Sequence, residues 1–588
     1  ITTRAADDLQ FHLYWNAWRN TRSTFLREDA LTGRDESDRP AGDFAAIDIT
    51  SIRLLGTGTP TPVDLSVHKR FISPDDGNGD DETVLQVPLP QPAEPGATLT
   101  IEVKWTAHVP RTFDRTGAIG NYFFIAQWFP KLGVLEADGW NCHQFHASTE
   151  FFSDYGVYDV NLTVPKDWVV GATGAEREKR DLPDGSSTHR YYQEDVHDFA
   201  WTTSPDYAVR ASRFEMPGLP PVTIRLLLQP EHLSQAERHF AATRAALQHY
   251  GEWYGPYPYG HITVIDPAWQ SDAGGMEYPT LFTAGTHWLA PAAADSPIGV
   301  TIHEAGHQFW YGLVGNNEFE DAWMDEGFNT FSTARAQAES FGSALYARRY
   351  FGGFVPWVFK DIRLSREADY NNLSSYRAAA RRDAQATPSF RYFPTSAGGI
   401  TYAKTALWLH TLERMLGWPT LQKAMSTYFD RWKFQHPKPA DFFETLSTTA
   451  GHDLSWFIDQ VYRGSNTFDY AIDDLSSTKN EDGTWRTSVV VRRFGEATFP
   501  VDVRLTFEGG DTITEHWPGR DRWKLYTYDR PRRVRTAEVD PDRVLLLDTS
   551  WTNNSRTLAP QAARAGNRWS ARWMVWLQDL LLNFGFFV

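Results

Sequence analysis

Cysteine is nearly missing from this chain: one residue, Cys142, among 588. A lone thiol excludes an internal disulfide and any cysteine-built metal knuckle, so a bound metal has to be held by imidazole and carboxylate. Cys142 itself reads as an inert, packed thiol. An excess of basic charge is missing too. Lys and Arg number 57 against 74 Asp and Glu, a formal charge of −17. That balance argues against nucleic acid as the partner, because phosphate binding needs basic stripes. No run of 18 apolar residues occurs, so no membrane-spanning helix is expected. The nearest approach, 574–588, is interrupted by Gln578, Asp579 and Asn583. The chain opens Ile1-Thr2-Thr3-Arg4, a start from which no compartment can be read. No internal repeat is present. Tryptophan, by contrast, is plentiful at 24 residues, which supplies large rigid packing area.

Hydrophobic residues at 41% and charged residues at 22% are ordinary for a folded chain. Length alone sets a prior of about four domains, and the patterning divides the chain into three. Residues 1–212 read as strands, with Leu99, Ile101, Val103 and Trp105, and again Tyr158, Val160, Leu162 and Val164, alternating with polar neighbours. The acidic stretch 75–82 reads as a solvated surface loop, since it lacks the ligand spacing of a calcium loop. Residues 213–465 read as mainly helical. Ser234 and Glu237 have capping-box spacing, and helices are expected over 298–311, 322–341, 400–416 and 420–432. Between two of these, 365–399 reads as a long polar loop of the kind that forms lids or cleft walls. Strand patterning returns over 466–548, with a turn at 508–511, and the last forty residues are Arg- and Trp-rich and end apolar. That tail reads as a helix docked on the protein's own surface, with a dimer contact or a membrane-interface helix as the alternatives.

His303-Glu304-Ala305-Gly306-His307 falls within one of the helical runs. Histidines at i and i+4 share a helix face and can share one tetrahedral metal. The glutamate between them faces the same cleft and can take a proton from the attacking water. With 18 His and 74 acidic residues in the chain, such a pattern arises by chance about 0.07 times. A zinc hydrolase needs a third protein ligand with one position left open. Glu326 follows His307 after eighteen intervening residues, inside Trp323-Met324-Asp325-Glu326-Gly327. The bland alternative is a surface helix that happens to carry two histidines and a glutamate. Asp325 and Asp321 read either as hydrogen-bond partners of the metal histidines or as ordinary helix-start acids.

With these residues in place the chain resembles the gluzincin zinc aminopeptidases related to aminopeptidase N and the leukotriene hydrolase. Their H-E-x-x-H, eighteen residues, then E within W-x-x-E-G is matched at His303, Glu304, His307 and Glu326. Their G-x-M-E-N is matched in part by Gly274-Gly275-Met276-Glu277-Tyr278, and their Y-x-K-G by Tyr402-Ala403-Lys404, with Thr405 in place of Gly. The likeness extends weakly over 1–465, including 158–174 and Tyr254-Gly255-Pro256-Tyr257-Pro258-Tyr259. It implies one Zn2+ per chain on His303, His307 and Glu326, Glu304 as general base, and Tyr402 as donor to the developing oxyanion. It further implies Glu277 as anchor for a substrate's free amino group, Gly274, Gly275 and Met276 along an extended peptide, and Gln127 in the first side-chain pocket. Lys404 reads as a helix-start or solvated residue. Tyr278 departs from the usual Asn and is expected to reshape the amine end of the site.

The resemblance therefore implies a multidomain α+β protein. A β-sandwich over 1–212, short of its first strands, precedes a thermolysin-like, mainly helical catalytic domain over 213–465. A small β-rich domain with a helical tail follows over 466–588, where relatives carry a much larger helical domain. The implied activity is removal of N-terminal residues from peptides by a short bacterial-type member, in the cytoplasm or outside it. The alternatives are another hydrolase on the same zinc site (a dipeptidase, an endopeptidase or an epoxide hydrolase) and a non-catalytic binding protein that retains the fold.

Overall fold

The computed structural model describes residues 4–56, 62–271, 273–286, 297–341, 369–570 and 573–574. The chain is a mixed α/β protein. From Ala6–His12 to Trp201–Ser204 the strands pair antiparallel in several short sheets. Gly156–Pro165 shows the reason at residue level: Leu162 and Val164 point inward onto Val170, Tyr191 and Phe199, while the alternate positions face out.

The acidic stretch 75–82 is a loop with Asp76, Gly77, Gly79 and Asp80 exposed, as its composition predicts, but several of its carboxylates also turn inward. Asp75 accepts from the Gln144 backbone N–H at 2.7 Å and lies 2.7 Å from His143 Nδ1 and 3.1 Å from His146 Nε2. Asp76 accepts from the Thr24 hydroxyl and Asp81 from the Thr24 backbone N–H, at the start of the helix Thr24–Ala30. Short carboxylates next to free helix-start N–H groups and imidazoles turn inward, and periodicity cannot show those distant partners.

A mixed five-stranded sheet carries the central region, in the order Ala208–Met216, Leu219–Leu228, His261–Ile265, Leu281–Ala284, Gly275–Tyr278. The three middle strands run parallel and the outer two antiparallel. Its first strand runs through the boundary expected at 212, and strand continues to Leu228 where the sequence reading places helix. Val222, Ile224, Leu226 and Leu228 are buried at a spacing of two, which is the strand signature. The helix Ala236–Trp253 follows a 3-10 turn, Pro230–Gln235, and has no side-chain cap. Ser234 lies inside that turn, so the capping box does not form.

The expected helix 298–311 is Ile298–Gly306, stopped by a tight reversal in which Tyr311 has φ of +68°. The expected 322–341 and 400–416 each begin as π-helix, Trp323–Gly327 and Gly399–Lys404, before turning α at Phe328–Phe341 and Thr405–Leu416. Trp418–Trp432 matches the fourth. Within the expected loop 365–399 lie a helix, Asp369–Ala379, and a 3-10 turn, Ser389–Arg391; 365–368 fall outside the described residues. Leu373, Tyr376 and Ala380 are buried at helical spacing, a stripe hidden by its polar neighbours.

Pro439–Ala450 and Ser455–Val461 close the helical region. Two antiparallel sheets then span Tyr470 to Thr557, with Gly509 and Gly510 at φ of +94° and +95° in the expected turn. Their inner residues, such as Val489 and Leu505, join the same hydrophobic cluster as Phe328 and Leu412. A second cluster joins the N-terminal strands to Leu227, Ile265, Met276 and Phe319. The apolar tail expected beyond 574 lies outside the described residues.

Candidate metal centre

His303 and Glu304 sit on the helix Ile298–Gly306, with His307 at its C-terminal cap. One turn apart, the two imidazoles bring their Nε2 atoms to 3.1 Å. Glu326 Oε2 reaches both, 3.1 Å from His303 Nε2 and 3.2 Å from His307 Nε2. Two imidazole nitrogens and a carboxylate oxygen crowded on one point satisfy each other poorly through protons, whereas one cation satisfies all three. The residues present therefore fit a metal, and the donor set of two nitrogens and one oxygen suits zinc.

Each ligand is held from behind. His307 Nδ1 donates to Asp325 Oδ1 at 2.7 Å, which leaves Nε2 free of a proton for a metal. Burial foremost, and then the charge of Asp325, keeps the carboxyl of Glu318 well above the usual range. Glu318 Oε2 in turn accepts from the Phe151 backbone N–H at 3.1 Å, a tie to the N-terminal strands. The carbonyl of His303 accepts from Asn329 Nδ2 at 2.6 Å, and Asn329 Oδ1 accepts from the Tyr250 hydroxyl at 2.7 Å. Gly306 makes that packing feasible: a Cβ there would lie 2.1 Å from Asn329 Oδ1 and 2.5 Å from the Tyr250 oxygen.

The two π-helical turns meet at Gly327. A Cβ at Gly327 would lie 2.2 Å from Thr405 Cγ2 and 2.8 Å from the Thr401 carbonyl. Their contact sets Tyr402 beside the centre, where its hydroxyl donates to Glu326 Oε1. Burial first, and then the Glu326 carboxylate, hold the phenol well above its ordinary value, so it keeps its proton.

Glu304 and Glu277 each bury an oxygen that has no hydrogen-bond partner, Oε2 and Oε1 respectively. Burial and then the neighbouring Glu277 push Glu304 well above the carboxylate range. Burial raises Glu277 as well, opposed by His307. Glu277 Oε1 stands 4.0 Å from His307 Nδ1. Gly275 leaves the room for Glu304, since a Cβ there would lie 2.3 Å from Glu304 Oε1. Gly275–Tyr278 is the edge strand of the central sheet, and Gly274 and Gly275 are exposed. Met276 is buried in the N-terminal cluster.

Further side chains singled out in the sequence are placed as follows. Side chains alternate along a strand, so Tyr278 leaves the opposite face from Glu277 and packs 5.7 Å from Phe124 and 6.4 Å from Phe151. Tyr278 thus joins the aromatic packing of the N-terminal strands. Gln127 is buried at φ of +54° and donates to Asp198, which also pairs with Lys131 Nζ at 2.6 Å. Its hydrogen bond thus goes to Asp198 and not to a residue of the centre. Lys404 is buried rather than solvated and donates from Nζ to the Gly464 carbonyl at 3.1 Å. Cys142 is a buried free thiol, as its sequence reading has it.

Sequence reasoning missed Glu318, Asn329, Tyr250 and a buried pair in which Arg115 donates to Glu150 Oε1 at 3.3 Å. Burial, and then Arg115 in opposition, set the Glu150 carboxyl at about 8, with Glu277 adding to the rise. Of these only Asn329 had a legible signal, three residues after Glu326 on the same helix face.

Fold and site together bring two histidines and a glutamate that could hold a metal ion onto a mixed α/β frame. Residues 238–461 match the Peptidase family M1 domain, in line with the resemblance carried by the motifs. A leukotriene A-4 hydrolase homolog of Botryotinia fuckeliana is 27% identical over 197 residues, which is 32% of this chain and 28% of the relative. Leucine aminopeptidase 2 of Coccidioides immitis is 23% identical over 385 residues, 60% of this chain and 58% of the relative. Aminopeptidase N of Streptomyces lividans is 25% identical over 236 residues, 38% of this chain and 25% of the relative. The matches thus span less than two thirds of these relatives' length. The fold is similar to that of Legionella pneumophila aminopeptidase A, solved in complex with aspartic acid, with a TM-score of 0.60 and 13% identity over 92% of this chain and 55% of that one.

Proposed function

We propose that this chain is a zinc-dependent aminopeptidase that hydrolyses the N-terminal peptide bond of peptides. The observation that supports this most is the placing of Glu277, with an unpartnered buried oxygen, on the edge strand beside the His303–His307–Glu326 triangle. His303, His307 and Glu326 would hold the zinc, which when bound supplies Lewis-acid polarisation of the scissile carbonyl. Glu304 takes the proton of the attacking water and returns it to the leaving amine, a role suited to a carboxyl raised by burial. Tyr402 exchanges Glu326 for the developing oxyanion as its acceptor. Glu277 receives the substrate's α-ammonium and fixes the scissile bond one residue away. The free edge at Gly274, Gly275 and Met276 accepts the peptide as an added strand. In this reading 1–212 serves as a β-sandwich against the cleft, 213–465 as the catalytic domain and 466–588 as a β-rich support.

The test is a panel of aminoacyl anilides and short peptides, assayed free and N-acetylated, with metal analysis of the same sample. One zinc per chain is expected, with cleavage of acetylated substrates slower by about 100-fold or more, as loss of a buried charge-assisted contact predicts. Equal rates on free and acetylated substrates would overturn the aminopeptidase reading in favour of an endopeptidase. Glu304→Gln is expected to keep the metal and lose about 100- to 10,000-fold in kcat. A metal-free chain unaffected by this substitution would favour a binding protein.

A further inference from the structure

We propose that a second pocket, lined by Glu320, Asp321, Lys438 and Arg463 among others, binds a free α-amino acid. The pocket has a volume of about 380 Å³, within the size range of small-ligand sites, and none of the metal-centre residues lines it. Its walls carry both signs of charge, as a zwitterion requires. Phe443 and Tyr462 supply an aromatic surface for the ligand's side chain.

The two acids are held by neighbours, while the two cations are exposed. Glu320 Oε1 accepts from Asn141 Nδ2 at 3.0 Å and lies 3.2 Å from His143 Nε2, both on the N-terminal side of the molecule. Asp321 accepts from Trp323 Nε1 at 3.2 Å. Burial raises the Asp321 carboxyl to about 7, whereas the contact with His143 holds Glu320 below the usual range, so Glu320 is the carboxylate that receives the ammonium group. Lys438 pairs with Glu136 at 3.2 Å and Arg463 with Asp459, and the two cationic side chains are 63% and 62% exposed. Exposed pairs of this kind are weak, so both cations can exchange their partners for the ligand's carboxylate. The first turn of the helix Pro439–Ala450, at the same wall, adds the positive end of its dipole.

The pocket also backs onto the metal centre. The rings of Phe443 and Tyr462 pack 5.7 Å and 5.4 Å from that of Trp323, the first residue of the turn that delivers Glu326. The Gly464 carbonyl, next to Arg463, holds Lys404 two residues from Tyr402. An occupant stacked on Phe443 or Tyr462 is therefore one ring away from the turn that carries Glu326.

Calorimetry with leucine tests the proposal, on the full chain with its metal centre blocked by a hydroxamate. One leucine per chain is expected. N-acetyl-leucine, which lacks the ammonium, and leucinamide, which lacks the carboxylate, are each expected to bind about 10-fold or more weakly, as loss of a charge-assisted contact implies. The double variant Lys438→Ala/Arg463→Ala, on exposed positions, is expected to show the same loss for leucine with an unchanged melting temperature. No heat up to about 10 mM leucine, binding only when the hydroxamate is left out, or equal affinity in the double variant would each overturn it. These readouts require no peptidase activity, so their failure is distinct from failure of the aminopeptidase reading.

Discussion

A hydrogen atom is all that Gly275 presents to Glu304, and any side chain there would strike the carboxylate. Gly275→Ala is therefore expected to cost activity, about 10-fold or more, while the melting temperature stays within about 2 °C of the parent, because the strand is at a sheet edge. Unchanged kcat/KM would show that Glu304 moves freely. Asp325→Ala removes the acceptor that orients His307, and a 10- to 100-fold loss of zinc affinity, about what such partners supply, is expected in a chelator competition. At this scale the sequence was informative wherever residues act through fixed covalent spacing. His303, Glu304 and His307 share one helix turn, and Glu326 follows in a recognisable frame. Glu318 and Tyr250 were illegible because their partners, Asp325 and Asn329, are brought to them by tertiary packing.

Among the elements, the two π-helical starts matter most to the site. Periodicity registers a helix at 322–341 and at 400–416 but not that each begins with a wider turn, because the π segments, 5 and 6 residues long, are too short to show a period of their own. Those turns put Glu326 and Tyr402 in contact, and Gly327 is the residue that lets them meet. A second inter-element link was hidden inside the acidic stretch. His146 stands between Asp75 at 3.1 Å and Glu28 at 2.8 Å. Burial lowers it, but the two carboxylates overcome that and raise it from 6.5 to about 9. A raised pKa stabilises the fold fully below about 6.5, and that stability is lost as pH climbs through about 9. His146→Gln is thus expected to lower stability near pH 6 by on the order of 1 to 3 kcal/mol. The gap from the parent should close toward pH 10 in urea titrations. Parallel curves for the two proteins would remove His146 as the cause.

On the scale of the whole molecule, composition and strand or helix patterning predicted three regions, and the structure joins two of them more closely than patterning can show. Residues from Phe214 to Leu547 belong to one hydrophobic cluster, so the helices that hold the metal ligands and the sheets of Tyr470–Thr557 share a core. Residue patterns report which face of an element is apolar but not which neighbour covers it. A shared core makes the two regions unfold together. The proposed metal ligands come from two separate segments, Ile298–His307 and Trp323–Gly327, and binding to the folded form alone stabilises it by mass action. Removing metal with a chelator is therefore expected to lower the melting temperature of the whole 208–557 unit by several degrees, in one transition. Far-ultraviolet circular dichroism at strand-sensitive wavelengths and intrinsic tryptophan fluorescence should report the same midpoint. If chelation shifts the fluorescence transition and leaves the strand signal in place, the C-terminal sheets fold independently of the centre, and the continuity of the core does not translate into cooperativity.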